Sequence, residues 1–129
     1  MANPNIVAVA SIYGESVGWN LSNTLTATLL TVAANKLIKI NRITVANVDG
    51  SSAADVNLYI DKNAFTSAGA TATSPAADVY LAKTISVPAD ATLVLADTPI
   101  YLQETDILKG GASATGDLDL FISYDVIAV

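Results

Sequence analysis

Apolar and polar side chains alternate with a period of two over most of the chain. Leu118, Leu120, Ile122, Tyr124 and Val126 alternate with Asp117, Asp119, Phe121, Ser123 and Asp125, and Phe121 is the only misfit. That pattern predicts a strand with one buried face, because successive side chains of an extended chain point to opposite sides. Val56, Leu58 and Ile60 alternate in the same way with Asn57, Tyr59 and Asp61. Leu25, Ala27 and Leu29 alternate with Thr24, Thr26 and Thr28, which predicts a strand whose exposed face carries β-branched threonine. Val79, Leu81, Ile85 and Val87 share one phase with Lys83, which predicts an edge strand guarded by an inward lysine. No segment sustains helical spacing.

One stretch changes phase. Ile38 and Ile40 fall on even positions and Ile43 and Val45 on odd ones, with Asn41-Arg42 between. A slip of one residue is what a β-bulge, or a strand passing between two sheets, produces; either makes 36–48 one long bent strand. Turn residues mark the other boundaries. Asp49-Gly50 signals a hairpin with an extended loop through Ser51-Ser52. Pro88-Ala89-Asp90 ends the strand before it, and Asp97-Thr98-Pro99 opens Ile100–Leu102. Gly110 to Gly116 reads as a flexible connection, and 62–77, rich in Ala, Ser, Thr and Gly, as a long loop.

About eight or nine short strands at this spacing predict an all-β fold, a two-sheet antiparallel sandwich of jelly-roll-like form, with a small closed barrel as the alternative. At 129 residues the chain is a single domain, 1–129. Ile6 to Ile12 is apolar on both phases, so residues 1–14 read as an extended N-terminal arm that needs cover on both faces.

Composition narrows the chemistry. Charged residues make up 14% of the chain and apolar ones 52%, against roughly 25% charged in an ordinary domain. Such surfaces suit burial between subunits, which predicts a homo-oligomer. The net charge of −6, with six Lys and Arg in all, excludes a phosphate-binding patch and hence a nucleic-acid partner. There is no Cys and no His, which removes thiolate zinc sites, disulfides, imidazole bases and the serine triad. No apolar run approaches a membrane helix, the first residues lack a basic leader, and aromatic residues are too few for an outer-membrane barrel.

What chemistry remains is carboxylates, hydroxyls, lysines and tyrosines. Asp117 with Asp119, and Glu104 with Asp106, are paired acids that could serve glycoside hydrolysis or hold Ca²⁺, but the same spacing simply wets a strand face. Gly110–Gly116 lacks the GK[ST] of a phosphate loop. Ser74 with Lys83 has no dyad spacing, and Trp19, Tyr13, Tyr59, Tyr80 and Tyr101 could stack on sugars or merely pack. Catalytic, cofactor and metal residues are therefore assigned to none of them.

Ile43 to Gly50, Ala54-Asp55-Val56, Ile85 to Leu93, Ile100-Tyr101-Leu102 with Glu104 and Asp106, Ala112-Ser113, Gly116-Asp117-Leu118 and Tyr124 occur in order along the chain, after an opening Asn5-Ile6-Val7 through Ile12-Tyr13-Gly14. Together these stretches resemble a family of small virion structural proteins of tailed bacteriophages. The segment between Ile60 and Val79 departs from that pattern as a long insertion. The resemblance implies a protein without enzymatic activity or cofactor: a capsid decoration (cement) protein, a trimer on the outer surface of the head, assembled in the host cytoplasm and partnered by the major capsid protein. A neck, tail or fibre component and a carbohydrate-binding module are the alternatives.

Overall fold

The computed structural model describes residues 9–128. Eleven strands and no helix are found there: β1 Ser11–Asn20, β2 Thr28–Thr31, β3 Lys36–Asn47, β4 Ala54–Lys62, β5 Phe65–Thr66, β6 Thr73–Ser74, β7 Ala77–Val87, β8 Thr92–Ala96, β9 Ile100–Leu102, β10 Ile107–Ala112 and β11 Leu118–Ala128. One sheet has the order β1-β11-β3-β8, with β9 also on β3, and the other the order β2-β10-β4-β7. All pairings are antiparallel. With the β5–β6 ribbon set aside and β8–β9 counted as one interrupted strand, the chain crosses between the sheets at every step except β4 to β7, the order of a jelly roll. The strand count exceeds the expected eight or nine because of that ribbon and that interruption.

The two inner faces meet as a sandwich core. Ile40, Ile43, Val45, Leu118, Leu120 and Ile122 from the first sheet, with Val56, Leu58, Ile60 and Leu108 from the second, are buried in one cluster. The alternation along β11 is the one expected, with Phe121 on the outer face at 51% exposure. The slip at Asn41 is a bulge: Ser123 pairs with Arg42 but Tyr124 with Ile40, so Asn41 is the extra residue. It restores Ile38 and Ile40 to the core side, and it falls where the outer partner of β3 changes from β9 to β8. β3 bends there without leaving its sheet.

Several boundaries differ from expectation, each for a local reason. Asp49-Gly50 does not close a hairpin, because β3 and β4 lie in different sheets and the turn carries the chain across the sandwich. Asn47 holds this crossing: its buried amide donates to the carbonyls of Ser52 and Val87, both at 2.9 Å, and its Oδ1 accepts from Asp49 N at 2.9 Å. The strand expected at 24–29 is shifted to Thr28–Thr31, leaving Leu25 44% exposed in the preceding turn.

In β7 the expected phase is buried at Val87 alone. Two register shifts against β4 interrupt the strand; Val79 and Ile85, although paired with the core residues Ile60 and Val56, stay exposed at the sheet edge with Leu81, while Ala82 and Val87 are buried and Thr84 takes φ 55°. Asn57 Oδ1 secures the distortion by accepting from Thr84 N at 3.1 Å. Lys83 is at the edge, as expected, but exposed rather than inward.

Gly110 and Gly111 belong to β10 rather than to a flexible connection. A Cβ on Gly110 would run into the carbonyl of Asn57, and one on Gly111 would stand 2.5 Å from the carbonyl of Thr24. Close backbone approach, not mobility, explains the pair. Within 62–77 the β5–β6 ribbon pairs Phe65 with Ser74 and Thr66 with Thr73. Of the expected N-terminal arm, residues 11–14 form the start of β1, paired with 125–128. Residues 1–8, including Ile6-Val7-Ala8, lie outside the described residues.

Candidate functional site

The acids singled out by spacing serve two different local structures. Glu104 and Asp106 occupy the turn between β9 and β10 and are both buried, at 8% and 1% exposure. Asp106 accepts from the backbone N–H groups of Gln103 (2.9 Å) and Asn63 (3.0 Å) and forms an ion pair with Lys62 Nζ at 3.0 Å. Lys62 also donates to Gln103 Oε1 at 2.8 Å and lies 5.3 Å from the centre of the Phe65 ring. Glu104 Oε2 accepts from Asn35 N at 2.7 Å, where Asn35 stands at φ 60°. The pair therefore ties the β2–β3 turn, the end of β4 and the root of the ribbon to one corner. These oxygens are directed at protein donors, the arrangement of a structural knot. Lys62, which spacing did not single out, supplies the cation paired with Asp106.

Asp117 and Asp119 are at the opposite end. Asp119 Oδ1 accepts from Asn20 Nδ2 at 2.8 Å on the outer face of β11, and the backbone carbonyl of Asp117 accepts from Val48 N at 2.8 Å. Nearby, the Ser51 backbone N–H, then the Ser51 hydroxyl, hold the Asp49 carboxyl below the usual carboxylate range. Among the described residues no group of three or more acids is placed to hold a metal ion.

Ser74 and Lys83 are engaged separately: Ser74 Oγ donates to the Pro75 carbonyl at 3.3 Å, and Lys83 Nζ lies 5.1 Å above the Tyr80 ring. The aromatic residues are divided between the sheets. Trp19, on β1, packs half-buried against the core. Tyr59 and Tyr80 face outward on the second sheet with ring centroids 5.0 Å apart, Tyr59 buried and Tyr80 46% exposed. The Asp61–Lys109 ion pair (3.0 Å) flanks them and holds the Lys109 ammonium above its ordinary pKa. No single platform combines Trp19 with this pair.

The features spacing did not reveal are surfaces. A cleft of about 340 Å³ opens between the sheets beside β1 and β2, lined by Tyr13, Glu15, Leu30, Ile38, Tyr124 and Val126 among others. Its residues are on the inner phase of the first sheet, but β2 is only four residues long and leaves them uncovered. Burial, then the charge of Glu15 and a hydrogen bond to it, raise the Tyr124 hydroxyl above the ordinary tyrosine pKa. Elsewhere large apolar side chains are open to solvent: Ile12 and Tyr13 on β1, Phe121 and Val94 on the outer face, and Val79 and Ile85 on β7. A glutamate in the inner phase of β1 was the one sequence signal for the cleft. Neither the known protein-family models nor the curated proteins contain a match to this chain.

Proposed function

We propose that this chain is a bacteriophage virion structural protein, a decoration (cement) protein that stabilises the icosahedral head by bridging neighbouring subunits of the major capsid protein. The observation that carries the reading is the spread of large apolar side chains, 38% exposed or more, over both sheets and their edges. Side chains of this kind are available for burial against a partner. Glu104 and Asp106 are spent on a turn and Asp119 on Asn20, which favours binding over catalysis. The order of short stretches resembling small virion proteins supplies the partner. A protein of this kind acts as a symmetric homo-oligomer on the outside of the head and binds the assembled shell alone. It therefore stabilises that state by mass action.

The test is binding of the purified protein to purified phage heads, followed by cryo-electron microscopy of the loaded particle. Density at many symmetry-equivalent positions on the shell supports decoration, and density at the portal vertex or tail alone moves the assignment to a neck or tail component. Heads that take up none of the protein overturn it. One observation favours a second reading, a carbohydrate-binding module: the exposed Tyr80 ring over Tyr59, flanked by Lys83 and the Asp61–Lys109 pair. A glycan screen with Tyr80→Ala as control decides that reading.

A further inference from the structure

The sandwich has four strand edges, and three of them are guarded. β7 is distorted by two register shifts and carries Lys83. The β8–β9 edge is interrupted by Asp97-Thr98-Pro99, and β2 is four residues long with a register shift of its own. These are the devices by which sheets avoid pairing with other chains. Among the described residues β1 has no register shift, interruption or lysine, and its one charge is Glu15 on the inner phase. It runs ten residues in unbroken register with β11, contains no Pro, Lys or Arg, and is exposed or half-buried throughout.

The hydrogen-bond parity of this edge follows from the structure. Leu21 N donates to Leu118 O at 2.8 Å, and the register from Asn20–Asp119 back to Ser11–Ala128 is continuous. The odd residues of β1 therefore turn their backbone groups towards β11. The even ones, Ile12, Gly14, Ser16, Gly18 and Asn20, present N–H and C=O to the open side.

We propose that a second copy of this chain adds to that side, β1 antiparallel to β1 about a two-fold axis through Ser16. A two-fold axis normal to the sheet keeps each face on its own side and must pass between identical residues. Centred on Glu15, it would set two carboxylates directly opposite each other, which is destabilising. Centred on Ser16, it sets Ser16 against Ser16, Gly14 against Gly18 and Ile12 against Asn20 on the outer face. On the inner face Tyr13 meets Trp19, and Glu15 meets Val17. All outward-facing backbone groups then find partners, and the two first sheets become one continuous sheet. A three-fold ring closed through strand edges would instead need β1 to pair with one of the guarded edges, so pairing through β1 gives a dimer in place of the trimer expected from sequence. The inference does not depend on the virion reading.

Sedimentation or light scattering at micromolar concentration should give twice the chain mass of 13.2 kDa. Ser16→Lys places two ammonium groups in register and should weaken the dimer by about ten-fold or more, with unchanged circular dichroism. The chain has no cysteine, so Ser16→Cys should form a covalent dimer under mild oxidant, while Ser123→Cys, one strand inland, should not. A monomer, a trimer, or a dimer in which Ser16→Cys does not cross-link would overturn the proposal.

Discussion

Asp106 offers the sharpest test of whether the buried acids are structural. Replacing it by Asn keeps the shape but removes the charge and turns an NH₂ towards donors. The carboxylate is 1% exposed and accepts from two backbone N–H groups and from Lys62, whose side chain is 19% exposed. Removing one partner of a buried pair costs about 3–5 kcal/mol. Lys62 keeps some water and its bond to Gln103 Oε1, so the lower end, about 3 kcal/mol, is expected. With a urea m-value of about 1.5 kcal/mol/M the unfolding midpoint should fall by about 2 M. Lys62→Met in the Asp106→Asn background should recover part of this loss, because it removes the orphaned ammonium. A midpoint shift below about 0.5 M, equivalent at that slope to under about 1 kcal/mol, would refute the reasoning. So would a rise in melting temperature of the native protein on adding Ca²⁺, which would show the acids to be ligands.

Three further outcomes are expected. Gly110→Ala must push β10 away from the Asn57 carbonyl, and differential scanning calorimetry should show a loss of about 2 kcal/mol or more. The Asp49 carboxyl is depressed by Ser51, so its contribution is present above the ordinary carboxylate pKa and is lost as pH falls through the depressed value; Asp49→Asn should flatten the acid limb of the stability–pH curve. Burial raises Tyr124, with Glu15 adding to it, and burial with Asp78 raises Tyr59. Their neutral forms stabilise the fold until pH rises through the raised pKa values, and Tyr124→Phe should move alkaline unfolding, followed by ultraviolet absorbance, to higher pH.

The alternation of β4 and β11 was legible because both are central strands whose inner side chains meet a single core. The slip at Asn41 was legible for the same reason: Ile40 and Ile43 can both be buried only if one residue is ejected between them. β7 misled because, of its apolar residues, Ala82 and Val87 alone are buried and the rest lie exposed at the sheet edge. At an edge, the backbone distortion held by Asn57 decides the phase, and side-chain character does not. Gly110-Gly111 misled because a sequence cannot distinguish glycine needed for freedom from glycine needed for closeness. Of the candidate acids, the spacing of Glu104 and Asp106 was real but their burial was not visible. It depends on Lys62 and Asn35, which are 44 and 69 residues away from their respective partners.

The place of β10 and β11 also bears on how the chain must fold. They come last in chain order, yet each lies between two earlier strands, β10 between β2 and β4 and β11 between β1 and β3. The second sheet cannot close until β10 has left the ribosome, nor the first until β11 has. At about 5–20 residues per second, β1 and β2, whose partners are β11 and β10, wait unpaired for several seconds. Folding is then a late, cooperative event dominated by contacts distant in sequence, which places it among the slow topologies. During that interval the open edge of β1 and the apolar strands behind it are the segments most exposed to mispairing with neighbouring chains.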